Sequence, residues 1–388
     1  MNLAKLEPFA KQGWNLSTVG DAAAIKNNLR LPISEEERVK ISGDYPYFGP
    51  TGVLAHINEY RIEGEHVLIG EDGDHFLKFQ DKPMTLLVSG QYNVNNHAHV
   101  IAGTKKCETK WLHYFFMHAD LTPFLTRQGV GRFKLTKEAL SKTPLLLPHI
   151  SEQRKIADIL TTWDEALTQL DALIDAQERR KKALMQQLLT GRSRLRPYGL
   201  PIAHLKASEI FTNRSERNTG ALPVLSVTQN QGIVLRSSLE RRIAHDEDNI
   251  NTYKVVRAGD YVISLRSFQG GLEFSEVTGA VSPAYHVIRP IKEIDQSFYR
   301  HYFKSTNFIS RLAIATIGIR DGKQISFTDF GFIKLPYPGI EDQKRIGAIL
   351  DTADQQLTLL GTQRTALDQQ KRGLMQRLLT GKLRVLEA

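Results

Sequence analysis

The chain has 388 residues, more than a single hydrophobic core usually grows to, so two or more domains are expected. Its one cysteine, Cys107, excludes an internal disulfide and any multi-thiolate zinc site, and fits a reducing compartment. A formal net charge of +9 points to a polyanionic partner. No apolar run reaches the roughly 20 residues that span a bilayer, and Met1 to Trp14 lacks a signal peptide's apolar core, so a cytoplasmic location is expected.

From the start to residue 149 the pattern is that of an α+β domain with many short strands. Trp14 to Asp21 reads as a short strand and turn, Tyr45 to Val53 as a loop, and His66 to Gly70 as a buried strand ended by Glu71-Asp72-Gly73. Thr85 to Val88 and Ala98 to Ile101 read as strands. Lys110 to Leu125 has helical spacing, with Leu112, Phe115, Phe116 and Leu121 on one side.

At Pro148 the pattern changes, because proline cannot sit inside a helix and Ser151 can cap one, with Glu152 placing negative charge in the first turn. Ile156, Leu160, Trp163, Leu167, Leu170, Ile174, Leu184 and Leu188 then follow the four-three spacing of a coiled-coil seam, and Gly191 supplies the stop. A helix over 150–191 is roughly 60 Å long at about 1.5 Å per residue. Residues 340–381 repeat this stretch without a gap at a constant offset of 190, with 19 of 42 positions identical. Their seam is Ile346, Leu350, Leu357, Leu360, Leu367, Leu374 and Leu378. Gln177, Lys181, Arg364 and Lys371 interrupt the stripes, and polar seam residues select register and partner.

Residues 192–339 rebuild the first segment's plan with different letters. Strands are expected at Leu222 to Val227, Tyr261 to Leu265 and Ala284 to Ile288, and a helix at Ser297 to Leu312; His286-Val287-Ile288 echoes His99-Val100-Ile101. Four segments result: domains at 1–149 and 192–339, and repeated helices at 150–191 and 340–388, a duplicated architecture. The charge excess sits mainly in residues 192–339, with 20 Lys and Arg against 13 Asp and Glu.

Signals for chemistry are weak. Gly129-Val130-Gly131 is a glycine pair without a following helix, Glu71-Asp72-Gly73-Asp74 lacks the ligand series of a calcium loop, and the histidines lack partners at zinc spacing. No phosphate loop, no Asn-Pro-Pro-aromatic methyltransferase run and no nuclease core is found, so no catalytic and no metal-binding residue is assigned. Side chains suited to purine edges and phosphates are the alternative. In the first domain they are Asn93, Asn95, Asn96, Lys105, Lys106, Arg127, Arg132 and Lys134; in the second, Arg236, Arg241, Arg242, Arg266, Gln269, Arg320 and Lys323. Taken singly, each is also readable as a solvated surface group.

The repeat, the Pro-x-x-x-x-Gln-x-x-Ile starts at Pro148-Gln153-Ile156 and Pro338-Gln343-Ile346, and the two Leu-Leu-Thr-Gly ends resemble the specificity subunit of type I restriction-modification systems over essentially the whole chain. The resemblance implies two α/β target recognition domains separated by an antiparallel coiled coil of the repeated helices, with pseudo-two-fold symmetry. Each domain would read one half of an asymmetric bipartite site in double-stranded DNA. It further implies two modification subunits carrying S-adenosylmethionine, and restriction subunits using ATP and Mg, with no cofactor in this chain. The competing readings are a free-standing methyltransferase or nuclease, and a coiled-coil adaptor without sequence specificity.

Overall fold

The computed structural model describes residues 3, 6, 13–128, 132–190, 202–218, 220, 222–229, 231–239, 251–265, 267–315 and 325–385. It divides into two compact units, Met1–Leu170 with Gln363–Ala388, and Asp171–Thr362, so each unit takes part of both long helices.

In the first unit, strand Asn15–Thr18 pairs antiparallel with Pro144–Leu147, which joins the two ends of the domain and delivers the chain to the first long helix. The central sheet is antiparallel, in the order Ala24–Ile25, Ala98–Ala102, His66–Gly70, Thr85–Val88. All five residues of His66–Gly70 are buried because the sheet is covered on both faces. Successive strand side chains point to opposite faces. Val67, Ile69 and Ile101 accordingly join the core formed with helix Thr109–Met117, whereas Leu68 and Val100 join a second core. That second core lies with the sheet ordered Val53–Ile57, Ser42–Phe48, Gln91–Val94, Ile62–Glu63.

The second unit repeats this frame. Ala203–Lys206 pairs with Lys334–Tyr337, and the central sheet runs Phe211–Arg214, His286–Pro290, Tyr261–Ile263, Glu273–Phe274. Tyr261, Ile263 and Ile288 face the helical core, and Val262 and Val287 the other. Ile263 stands opposite His286 as Ile69 stands opposite His99, so the echoed His-Val-Ile occupies the same register in both sheets.

The long helices span Ile150–Leu188 and Ile340–Leu379. In the first unit Ile156, Ala157 and Leu160 share a core with Met375, Leu378 and Leu379, and Leu374 packs against it. In the second, Leu188 and Leu189 share a core with Ile346 and Leu350, and Leu184 packs against it. Within each unit the start of one repeat therefore lies with the end of the other, as expected for Leu160 and Leu374. Among the other expected seam residues Leu167 is buried, while Trp163, Leu170, Ile174, Leu357, Leu360 and Leu367 are half-buried.

Several local expectations are corrected. The first long helix begins at Ile150, so Ser151 lies within its first turn, its hydroxyl paired with His149 Nδ1 at 2.8 Å. Residues 45–53, expected as a loop from their prolines, contribute most of strand Ser42–Phe48, with Pro46 near a register shift where a missing N–H is tolerated. The expected helix at 110–125 ends at Met117, and a separate short 3-10 turn follows at Thr122–Phe124. The expected helix at 297–312 is two, Gln296–Tyr302 and Thr306–Ala315, with the Ser305 hydroxyl accepting from Phe308 N between them. Gly191 lies outside the described residues, but its repeat counterpart Gly381 adopts the left-handed stop at φ +69°.

Candidate nucleic-acid interface

One cluster of charged side chains in the first unit lies at an end of its central sheet. Strand His66–Gly70 runs out into Glu71 and Asp72, and Glu71 N donates to His97 O at 2.7 Å, placing this exit beside the entry of strand Ala98–Ala102. A short hairpin, Thr126–Gln128 against Arg132–Lys134, joins them, with Leu135 N donating to Glu71 O at 2.8 Å and Gly73 N to Phe133 O at 3.1 Å. Three elements distant in sequence thus meet at two carboxylates.

Those carboxylates are matched by two cations, Arg30 and Lys134, and by the His97 ring. Arg30 Nη1 donates to Glu71 Oε2 at 2.6 Å and to Asn96 O at 2.9 Å. Lys134 Nζ lies 3.2 Å from Glu71 Oε1 and 3.8 Å from Asp72 Oδ1, and His97 Nδ1 is 2.7 Å from Asp72 Oδ2. Beneath them His99 is fully buried. Its Nε2 donates to Leu135 O at 2.7 Å, which leaves Nδ1 to accept from Asn27 Nδ2 at 2.9 Å. Burial holds the His99 imidazole below its ordinary range, so the neutral ring this network needs is the favoured form.

Of the expected DNA-contacting residues, Asn96, Lys105, Lys106 and Arg127 are exposed. The exposed Arg127 guanidinium lies over the Phe133 ring, 5.3 Å from its centroid, within range of a cation–π contact. Asn93 and Asn95 are corrected: both are buried. Asn93 Nδ2 donates to Glu59 O at 2.7 Å, and Asn95 Oδ1 accepts from His97 N at 2.9 Å, so both serve the backbone. Lys134 is an anchor for the hairpin. For Arg132 only the backbone, in its strand, is described.

In the second unit the equivalent sheet end carries the short helix Ser267–Gly270, and Gln269 is exposed there. Arg236 is half-buried with its guanidinium 5.7 Å from the Tyr253 ring centroid. Arg241, Arg242, Arg266, Arg320 and Lys323 lie outside the described residues. Glu273, a buried carboxylate at this end, is paired with Lys304, while at the opposite end of the sheet the buried Asp260 takes a two-point contact from Arg289, at 2.7 Å on each oxygen.

Reasoning from sequence missed Arg30, Glu71, Asp72 and His97. The available signal was the repeated His-Val-Ile, which marks the same sheet end in both halves and makes the residues beside it neighbours. Among the described residues no group of three or more His, Cys, Asp and Glu side chains could hold a metal ion, and no helix is long and apolar enough to cross a membrane.

A duplicated frame that keeps its sheet register while changing the side chains at one sheet end defines a recognition protein. The chain belongs to the type I restriction modification DNA specificity domain family, whose model matches it twice, over residues 11–177 and 202–369. It is 34% identical over 168 residues to a Haemophilus influenzae protein named as a type I restriction enzyme specificity subunit, a match covering 43% of this chain and only 40% of that protein's length. It is 24% identical to the type I restriction enzyme MjaVIII specificity subunit of Methanocaldococcus jannaschii, over 96% of this chain and 94% of the relative. The fold is similar to the crystal structure of a type I restriction-modification S subunit from M. genitalium, with a TM-score of 0.59, 14% identity, and coverage of 94% of this chain and 96% of that one.

Proposed function

We propose that this chain is the DNA specificity subunit of a type I restriction-modification complex, each unit reading one half of an asymmetric bipartite site. The observation that carries the reading is the pairing of a conserved internal frame with divergent sheet ends. Asn96, His97 and Arg127 stand where the second unit presents the Ser267–Gly270 turn with Gln269. Like frames dock alike on a duplex; unlike side chains read unlike bases. Asn96, Lys105, Lys106, Arg127, Arg132, Arg236 and Gln269 are the proposed contacts, together with Arg241, Arg242, Arg266, Arg320 and Lys323.

The chain contributes recognition and no bond-making step. Methyl transfer belongs to two modification subunits, docked on the flanks of the long helices as an antiparallel coiled coil extended by partner helices. Translocation and cleavage belong to restriction subunits, and the complex works in the cytoplasm.

The test is an exchange of residues 192–339 for those of a relative with a different site. One half of the methylated sequence should change and the other half persist; a site that stays whole, or changes in both halves, overturns the reading.

A further inference from the structure

We propose that Glu71 and Asp72 are positioning residues for base reading by the first unit: they tie the paired strands Thr126–Gln128 and Arg132–Lys134 to the turn carrying Asn96 and His97, so that Arg127 and Asn96 act as one reading surface. This rests on the function proposed above and deepens it.

The hairpin has only two strands of three residues, and among the described residues its one bridge to the rest of the unit is an isolated antiparallel pairing of Lys134 with Asp72. Such a ribbon is at best marginally stable alone, so its direction must be set by what it is tied to. The ties run to one segment. Leu135 N and Gly73 N bridge the backbones of the hairpin and of Glu71 to Gly73, and the Lys134 ammonium lies 3.2 Å from the Glu71 carboxylate. The other Glu71 oxygen takes Arg30 at 2.6 Å, and the same Arg30 nitrogen holds the Asn96 carbonyl at 2.9 Å. Glu71 therefore lies on a short path from the hairpin to the Asn96 turn, and Asp72 closes a second path through Lys134 and His97.

Carboxylates at a surface that meets phosphates are ordinarily unfavourable, since like charges repel. Here the two carboxylates Glu71 and Asp72 are matched by the two cations Arg30 and Lys134, so little net negative charge faces the duplex. A two-stranded ribbon is one of the two shapes that enter the major groove, and an Arg fork discriminates bases only when aimed. The carboxylates supply that aim.

The test uses the full chain assembled with its modification subunits, and measures methylation of the cognate site and of single-base variants in each half. Glu71→Gln and Lys134→Gln are compared with the unaltered chain. Both substitutions should cut discrimination at the first half-site by about tenfold, the range one base contact supplies, and leave the second half-site unchanged, while Glu71→Gln, which takes a half-buried carboxylate from two cations, also lowers the thermal midpoint. A pure charge effect differs in sign: Glu71→Gln would strengthen and Lys134→Gln weaken binding to all sequences alike, with discrimination intact, and that result overturns the proposal. Equal loss at both half-sites reports general damage and also overturns it. If the unaltered complex methylates no bipartite site, the functional reading fails first; if it does and the two variants match it, only the positioning role fails.

Discussion

Lys371 on the second long helix is ion-paired with Asp164 on the first, and its repeat counterpart Lys181 is ion-paired with Asp354. The two pairs are related by the same 190-residue offset, 181 to 371 and 164 to 354. Two of the polar interruptions of the seam are therefore matched across it, each lysine meeting a carboxylate of the opposite helix. The Lys371 side chain is 8% exposed, lies over the Tyr114 ring, and Tyr114 Oη donates to the same Asp164 at 2.8 Å.

Asp164→Ala should cost about 2 kcal/mol, because it strands a buried cation, the figure being held down by the partial exposure of the carboxylate. Replacing both partners, as Lys371→Met with Asp164→Leu, should recover most of that loss. Urea unfolding of the three chains checks it; a double variant no more stable than Asp164→Ala contradicts it.

Gln153 and Gln343 explain the Pro-x-x-x-x-Gln motif. Gln153 is fully buried; Nε2 donates to Pro148 O at 2.9 Å and Lys106 O at 3.0 Å, and Oε1 accepts from Glu108 N at 2.9 Å. Gln343 repeats this with Pro338 O at 2.8 Å and Asp295 N at 2.9 Å. Each amide clips a long-helix start to the start of a short helix. Gln153→Ala leaves buried groups unpaired and should destabilise by about 2–3 kcal/mol, read as a lowered urea midpoint; an unchanged midpoint counts against the clip.

Burial pushes the His113 imidazole down to about 4, with Lys371 and His118 acting in the same direction and Asp164 opposing. The unfolded chain thus takes up a proton near pH 6.5 that the folded chain refuses. The stability contributed by the neutral ring is whole above pH 6.5 and falls as the pH drops toward 4, by about 2–3 kcal/mol in all. His66, His99 and His301 are lowered as well, mainly by burial, and add to the same slope. His113→Phe should flatten the stability profile between pH 6.5 and 4.5. A profile parallel to that of the unaltered chain contradicts the assignment.

Gly271 sits at φ +77°, where an added Cβ would lie 1.9 Å from the Phe303 carbonyl oxygen. Gly271→Ala combines backbone strain with a clash against main chain, and should cost about 3 kcal/mol or more. The damage should fall on the second unit, seen as faster amide exchange in strand Tyr261–Ile263 while His66–Gly70 keeps its protection.

The helices and the duplication were legible because periodicity and repetition are properties of the sequence itself. The central strands were legible too, their apolar runs being covered on both faces. What escaped was set by distant partners. Asn93 and Asn95 have the side chains of base readers, but only the fold shows them turned inward to Glu59 O and His97 N. Lys134 looks like a phosphate contact until Glu71 is placed beside it. The break at His118, whose ring meets Phe79 O, and the local cap that Ser305 makes on Phe308 N interrupted an apolar spacing that ran on past them.

Two different readers stand on one duplicated frame. Mapping of methylated bases across the genome of a host expressing this chain with its modification subunits tests it most directly. One asymmetric motif is expected, two specified half-sites separated by a fixed unspecified spacer. A contiguous motif, a palindromic one, or methylation without sequence preference would contradict it.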